Sequence, residues 1–256
     1  MITKLKDSKL TKSIASRTVA LGVLAGVGIA APSQAAVVYT GCGANATSCT
    51  LNQLFGGATI TVGDKLFNNW TQVKNIKNNV NGQVQTNNIQ VSGIFQDTNA
   101  PGLDFSTTNN ALDFFNQGSL ELNFDFQVTV LDPKQKINDN ELKLGAFVAN
   151  AANEQPSAEI NELIGTRQGL SDLGNKSVFV RIGQQDLEDS AKFSPQQSVW
   201  VRKLIKVNAP ETSTASIGNF QQRFSQTTTE PNSIFAFIGI SSIGLMLKYK
   251  QKTTKR

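Results

Sequence analysis

The 256-residue chain contains no histidine and only two cysteines. Without histidine, Ser-His-Asp and Cys-His catalysis are excluded, and the commonest zinc ligand is missing. Cys42 and Cys49 are separated by six residues, which suits a small disulfide loop in an oxidising compartment. A metal-binding pair is the alternative, but no third thiol is present to complete such a site. The sequence predicts a Cys42–Cys49 disulfide and no metal or cofactor site.

No apolar run reaches the ~20 residues that a membrane-spanning helix needs, but shorter runs lie at both ends. The first 35 residues carry five basic side chains and one acidic side chain, with an apolar run over 19–31. Small residues at Ser33 and Ala35 follow, as at the cleavage site of a signal peptide. We expect a signal helix over 1–35, removed by signal peptidase between Ala35 and Ala36. An uncleaved N-terminal anchor is the alternative.

The C-terminal segment 227–256 places an apolar run before a basic end. Glu230-Pro231 precedes the apolar run 234–247, and five basic residues close the chain. These 14 residues would span about 21 Å as a helix, short of the ~30 Å hydrocarbon core. Because basic residues stay on the cytoplasmic side, the pattern predicts a transmembrane helix over 234–247 with the preceding domain outside. Such a short helix favours a temporary anchor, and a permanent one is the alternative.

The charge of the chain is concentrated in these ends. The whole chain has a net charge of +5. Ten of its 24 basic residues lie in 1–35 and 248–256, which leaves 14 basic against 17 acidic residues in 36–229. The region between the sorting signals is therefore mildly acidic, which argues against a nucleic-acid partner.

The domain over 36–226 reads as strands. Apolar and polar residues alternate strictly over Ser119–Leu131, which is typical of a strand with one buried face. We expect further strands at Thr59–Val62, Leu142–Val148, Val178–Ile182, Val199–Val207 and Ser216–Phe224, and a shared face for Ile89, Val91 and Phe95. Long helical patterns are absent, and Thr50–Phe55 and Asn110–Phe115 are candidates for single short helices. The prediction is all-β, an antiparallel, jelly-roll-like β-sandwich flanked by the two terminal helices.

Turn residues separate the predicted strands. Asn81-Gly82 suits a tight hairpin turn, since both residues tolerate positive φ. Asp132-Pro133 ends the long strand, because proline cannot donate to a ladder. Asn138-Asp139-Asn140 predicts a turn before a strand that begins at Glu141.

The chain resembles exported cyanobacterial proteins that carry a PEP-CTERM sorting segment. The resemblance rests on Glu230-Pro231 with its apolar and basic tail, although Thr229 replaces the first proline of the motif. It extends to Cys49-Thr50-Leu51, Phe55-Gly56-Gly57, 60–67 with Trp70, 124–133 and Phe224-Ser225-Gln226. It implies export, processing by an exosortase-like membrane peptidase, and release or attachment at the cell surface. It implies no enzymatic activity.

The remaining candidates for catalytic or metal-binding residues are carboxylates. A glycosidase needs two of them across a cleft, and Glu121, Asp125, Glu159 and Glu162 are the candidates. An outward position on a strand accounts for Glu121 and Asp125 without such a site. Asp186, Glu188 and Asp189 form a cluster that suits calcium, but a solvated acidic loop accounts for it equally.

Two tryptophans suggest a further hypothesis, which is that the protein binds sugars. Trp70 and Trp200 would suit sugar stacking if exposed, although each is more typical of a core or strand-edge aromatic. We expect a noncatalytic cell-surface or extracellular-matrix protein, with no catalytic residues and with extracellular polysaccharide among its partners. A carbohydrate-binding module and a permanently membrane-anchored surface protein are the alternatives.

Overall fold

The computed structural model describes residues 37–78, 83–97, 100–115, 117–150 and 155–228. Most of this length is β-structure, and the described residues also include one short α-helix, α1 (Leu51–Phe55), and one 3₁₀ turn at Thr86–Asn88. The strands are β1 (Val37–Thr40), β2 (Cys49–Thr50), β3 (Thr59–Val62), β4 (Lys65–Asn78), β5 (Ile89–Ile94), β6 (Gly102–Thr107), β7 (Asp113–Phe115), β8 (Gly118–Val130), β9 (Gln135–Asn150), β10 (Ser157–Gly165), β11 (Gly174–Arg181), β12 (Gln184–Asp186), β13 (Glu188–Gln196), β14 (Ser198–Ala209) and β15 (Thr214–Thr228).

The strands form two antiparallel sheets, which confirms the predicted all-β class. Sheet A has the order β1-β3-β4-β8-β14-β10-β11-β12. Sheet B has the order β13-β9-β15-β6-β5-β2, and β7 pairs with β15 beside it. The predicted flanking helices, including the transmembrane helix over 234–247, lie outside the described residues. Among the residues that are described, no helix has the length and apolarity to cross a membrane.

The core lies between the sheets and combines many aliphatic side chains with a cluster of aromatic rings. Along β8, the predicted apolar positions from Leu120 to Val130 are all buried, because a strand presents alternate side chains to one face. Trp70 of β4 stacks on Phe126 at 4.4 Å between ring centroids. Phe105 of β6 stacks on Phe220 of β15 at 4.5 Å. Buried ring pairs of this kind contribute about 0.5–1.5 kcal/mol beyond their area.

The N-terminal part of the domain is held by local devices that the sequence predicts. Cys42 and Cys49 form the expected disulfide, with their Cα atoms 5.1 Å apart. Thr50 caps α1: its hydroxyl accepts from the Gln53 backbone N–H, and the Gln53 side chain accepts from the Thr50 N–H. The short helix predicted over Thr50–Phe55 is therefore confirmed, with Thr50 as its N-cap.

Two local predictions are wrong. Asn110–Phe115 is a turn followed by β7, because Asn109 and Asn110 both take positive φ, 51° and 57°, and reverse the chain. Asn138–Asn140 is part of β9, paired with β13 and β15 on either side, so tertiary pairing overrides its turn chemistry. Phe95 lies just beyond the end of β5 at Ile94 and packs against the same core as Ile89 and Val91.

The other turn and strand predictions have mixed outcomes. The strand β8 ends at Val130 and Asp132-Pro133 lies in the turn that follows, as expected. Asn81-Gly82 lies outside the described residues. The sequence interpretation missed β1, β2, β4, β6, β7, β10, β12 and β13. Of these, β4 carries two bulges against β8, which break the period-two pattern that would have revealed it.

Candidate functional site on the outer face of sheet A

The face of sheet A that points away from sheet B carries most of the polar groups that the fold organises. We call it the outer face. Along β14 it consists of Trp200, Arg202, Leu204 and Lys206, which alternate with the buried core residues of that strand. Lys206 lies six positions after Trp200, so this row runs about 20 Å at ~3.4 Å per residue. Since β4 and β8 flank it on one side and β10 on the other, the row lies at the centre of the sheet.

Trp200 is partly exposed at one end of this row. It lies directly opposite Gln127 of β8 and Gly165 of β10. Gln127 accepts a hydrogen bond from the Asn69 side chain at 2.7 Å. Among the described residues, no aromatic ring stacks on Trp200. The indole is therefore a partly exposed aromatic surface beside ordered amide groups.

Asp125 and Arg202 form a bidentate pair next to Trp200. The Arg202 Nε donates to Asp125 Oδ1 at 2.6 Å, and its Nη2 donates to Oδ2 at 2.8 Å. The hydrogen bonds from this guanidinium to Asp125 raise the pKa of Arg202 further above its ordinary value. Asp125 is only 1% exposed, which differs from the solvated position expected for it. The guanidinium covers the carboxylate on a central strand, and such paired geometry orients both groups.

The loop 166–173 forms a wall beside Trp200 and Arg202. A Cβ at Gly165 would lie 2.5 Å from the Leu170 carbonyl oxygen, so this loop crosses the outer face directly above the end of β10. A Cβ at Gly169 would lie 2.9 Å from Arg202 Nη2. Asp172 holds the loop closed by accepting from the Thr166 backbone N–H at 2.8 Å and its hydroxyl at 2.7 Å.

The bulged strand β4 lies on the other side of the β14 row from the loop 166–173. We call the part of the outer face between this loop and β4 the trough. Its register against β8 shifts between Asn68 and Thr71 and again between Gln72 and Lys74. Bulges increase local twist and change where side chains point. Asn69 lies in the first bulge with φ 55°, a left-handed conformation that asparagine tolerates. The pair Asn68-Asn69 thereby presents side-chain amides toward Gln127 and Trp200.

The far end of the row opens into a depression of about 330 Å³, lined by β4, β8 and β14. Lys74 Nζ lies 2.5 Å from Glu121 Oε2, and Asn123 donates to the other oxygen of Glu121 at 2.9 Å. The hydrogen bond from Lys74 holds the pKa of Glu121 below its usual range. Lys206 lies opposite Glu121 on one side and Glu159 on the other. The depression falls within the ~300–1,000 Å³ of small-ligand sites.

The four carboxylates considered for hydrolysis are not brought together. Glu121 and Asp125 lie on one strand, four residues or about 13 Å apart, and each is engaged by a cation. Glu159 points outward and pairs with Arg181 at 3.2 Å. Glu162 points into the core, on the opposite face of the same strand. No two of the four face each other across an open cleft.

Glu162 belongs to a buried charged row that sequence reasoning missed. It lies directly opposite Lys203 of β14 and Lys176 of β11, on the inner face of sheet A, and all three side chains are 0% exposed. Glu162 Oε1 lies 2.7 Å from Lys176 Nζ, and Oε2 contacts Lys203 Nζ. The sequence contains a pattern that predicts this position. Glu162 alternates with Ile160 and Ile164, and alternate residues of a strand lie on the same face, here the face toward the core.

The three groups perturb one another's ionisation. Burial by itself raises the pKa of Glu162, but the charges of Lys176 and Lys203 outweigh it and hold that pKa below its usual range. Burial lowers the pKa of Lys176 despite its carboxylate partner. Burial likewise lowers the pKa of Lys203 to about 8. A fully buried carboxylate enclosed by two lysines is a structural ion cluster and is not accessible to a substrate.

The acidic cluster proposed for calcium is divided between the two sheets. Asp186 lies exposed on β12, Glu188 pairs with Lys143 at 3.1 Å, and Asp189 accepts from the Ser177 backbone N–H at 2.9 Å. Glu188 and Asp189 help to line a depression of about 410 Å³, but Asp186 does not. Within the described ranges, no three acidic or cysteine side chains are placed to hold a metal ion.

The remaining predicted residues are placed as follows. Trp70 is buried against Phe126 and is a core residue. The sorting residues Glu230 and Pro231 and the cleavage residues Ala35 and Ala36 lie outside the described residues. Of the two tryptophans, Trp200 alone keeps a partly exposed ring on which a sugar could stack.

Comparisons with known proteins add little to this site. No protein-family model and no curated protein sequence matches the chain. Among solved structures, the chain is similar to TmCBM61 in complex with β-1,4-galactotriose, at 9% identity and a TM-score of 0.19. The match covers 55% of this chain and 88% of that one. A similarity at this level carries no argument about function.

Proposed function

We propose that the chain is a noncatalytic, exported cell-surface or extracellular-matrix protein. Signal peptidase removes 1–35, and an exosortase-like membrane peptidase recognises Glu230-Pro231 in the sorting segment 227–256. The two ends of the sequence support this route, since a basic, apolar and small-residue segment comes first and a short apolar run with a basic end comes last.

One observation carries the noncatalytic part of the proposal. Each candidate carboxylate is held by a cation: Glu121 by Lys74, Asp125 by Arg202, Glu159 by Arg181, and Glu162 by two lysines. A general acid needs a raised pKa, and a nucleophile needs open access to its substrate. These carboxylates are neutralised and tethered, which supports a structural or binding role.

Intact-mass analysis of the protein recovered from cells and from the medium tests the sorting route. The expected product begins at Ala36 and ends near Glu230. Recovery only from membranes, with Arg256 still present, would replace the sorting proposal with a permanent anchor.

Carbohydrate binding is the second candidate function. It is favoured by the partly exposed indole of Trp200, which lies beside ordered side-chain amides on the outer face. Sedimentation with insoluble polysaccharides tests it. Trp200→Ala is expected to weaken co-sedimentation markedly, because it removes the aromatic ring of the outer face on which a sugar ring can stack. Phe115→Ala is the matched control: Phe115 is 57% exposed, but it lies on β7 beside sheet B. Equal losses from both variants would contradict a specific role for Trp200.

A further inference from the structure

We infer that the outer face of sheet A binds an uncharged, hydroxyl-rich polysaccharide, laid in extended form along β14 from Trp200 to the depression at Lys206. This inference rests on the carbohydrate-binding candidate above and specifies its site and the charge class of its ligand. Four features of the face carry it: its length, its balanced charges, its amide groups and its walls.

The length of the row suits a chain rather than a single small molecule. Trp200 and Lys206 lie about 20 Å apart along one strand, and the residues between them, Arg202 and Leu204, point to the same side. A ligand that stacks on Trp200 and also reaches the 330 Å³ depression must therefore be extended.

The charges on this face occur in compensating pairs. Asp125 is paired with Arg202, Glu121 with Lys74, and Glu159 with Arg181. Lys206 is flanked by Glu121 and Glu159 in register, so its charge is offset by neighbouring carboxylates. A polyanion would meet Glu121 and Glu159 along its path, since Arg202 covers Asp125, and a polycation would meet four basic groups. An uncharged ligand is repelled neither by the carboxylates nor by the basic groups.

The polar groups suit hydroxyl ligands. Asn69 and Gln127 are ordered by their mutual hydrogen bond, which leaves further donor and acceptor capacity on both amides. Bidentate pairs such as Asp125–Arg202 hold their donors and acceptors in fixed directions, which lowers the entropy cost of binding.

The walls direct the ligand along β14. The loop 166–173 crosses above Gly165 on one side, and the bulged segment of β4 at Asn68–Asn69 lies on the other. Two strand spacings of ~4.8 Å separate β4 from β14. The trough is therefore narrow across the strands and open along them, as an extended chain requires.

Affinity electrophoresis of the protein purified from cells tests this inference. The probes are hydroxyethyl cellulose, galactan, glucomannan and xylan as neutral chains, and carboxymethyl cellulose as the charged counterpart of the first. At least one neutral chain is expected to retard the protein, with a Kd that stays constant from about 0.05 to about 1 M salt.

Variants locate the site. Trp200→Ala is expected to raise the Kd about tenfold, and Lys206→Gln at the far end about threefold. Lys192→Gln, an exposed lysine on β13 of sheet B, is the matched control and should leave the Kd unchanged. Thermal melts of all three variants exclude unfolding as the cause.

The failing outcomes are distinct. Tight binding to carboxymethyl cellulose that weakens with salt would overturn the uncharged ligand class. Neutral-chain binding that survives both Trp200→Ala and Lys206→Gln would overturn the site while leaving carbohydrate binding in place. No binding to any neutral chain would overturn both, and the sorting proposal would still be judged separately by intact mass.

Discussion

Removal of the Glu162 carboxylate should be among the most destabilising single substitutions in the domain. In Glu162→Gln, two lysine ammonium groups remain in a dry interior without the anion that compensates them. Breaking a buried ion pair from one side typically costs about 3–5 kcal/mol. The free energy of unfolding of such a domain is only about 5–15 kcal/mol, so the variant should lose a large share of its stability.

The control lies on the same strand. Glu159 points outward and pairs with Arg181, with both side chains partly exposed. Exposed pairs are worth about 0–1 kcal/mol, so Glu159→Gln should change stability little. The same chemical change, three residues apart, therefore separates the effect of burial from the effect of losing a carboxylate.

A compensating variant tests the explanation itself. Replacement of Glu162, Lys176 and Lys203 together by Gln, Met and Met removes the uncompensated charges and keeps similar volumes. Replacement of a buried ion cluster by apolar residues is often neutral or stabilising. The triple variant should therefore be more stable than Glu162→Gln alone, even though it carries more substitutions.

Urea unfolding followed by tryptophan fluorescence measures these differences, because Trp70 is buried in the core. A loss of 3–5 kcal/mol corresponds to a fall in Tm of roughly 6–20 °C for a domain of this size. The reasoning fails if Glu162→Gln is no less stable than Glu159→Gln. It also fails if the triple variant is less stable than the single one.

Three further outcomes follow from the structure. Burial lowers the folded-state pKa of Lys203 and of Lys65 to about 8 from 10.5. The unfolded chain therefore binds more protons than the folded chain between these two pH values. The free energy of unfolding should rise from about pH 8 to about pH 10.5, by at most about 3 kcal/mol per lysine. Urea unfolding midpoints that fall over this pH range would contradict the prediction. Replacement of Cys42 and Cys49 by serine should cost about 2 kcal/mol, measured by urea unfolding, with an unchanged midpoint counting against a stabilising disulfide. Trp70→Ala should cost about 3–5 kcal/mol because it empties a stacked core position; a Tm shift below about 2 °C would contradict the packing described here.

The local predictions succeeded where one face of a segment decides its structure. In β8, every second residue is apolar, and the structure buries all of these residues. The capped helix α1 and the Cys42–Cys49 disulfide are likewise set by residues a few positions apart. In these cases short-range sequence patterns contain the whole physical cause.

The predictions were wrong where a residue distant in sequence determines the local structure or the burial of a side chain. Asn138–Asn140 has the chemistry of a turn, yet pairing with β13 and β15 makes it strand. Asp125 has the parity of a solvated side chain, yet Arg202, 77 residues away, covers it. The candidate site shares this dependence, since Trp200 and Asn69 come together only through the order of strands in sheet A.

The sequence by itself determined the all-β class and the disulfide loop, because each depends on composition or on short-range periodicity. The tertiary structure alone decided which charged groups are buried and which aromatic is open. Period-two alternation states which side chains share a face of a strand, but not what covers that face. Lys203 and Lys206 lie three residues apart on one strand, and only the position of sheet B makes the first a core charge and the second part of a solvent-facing trough.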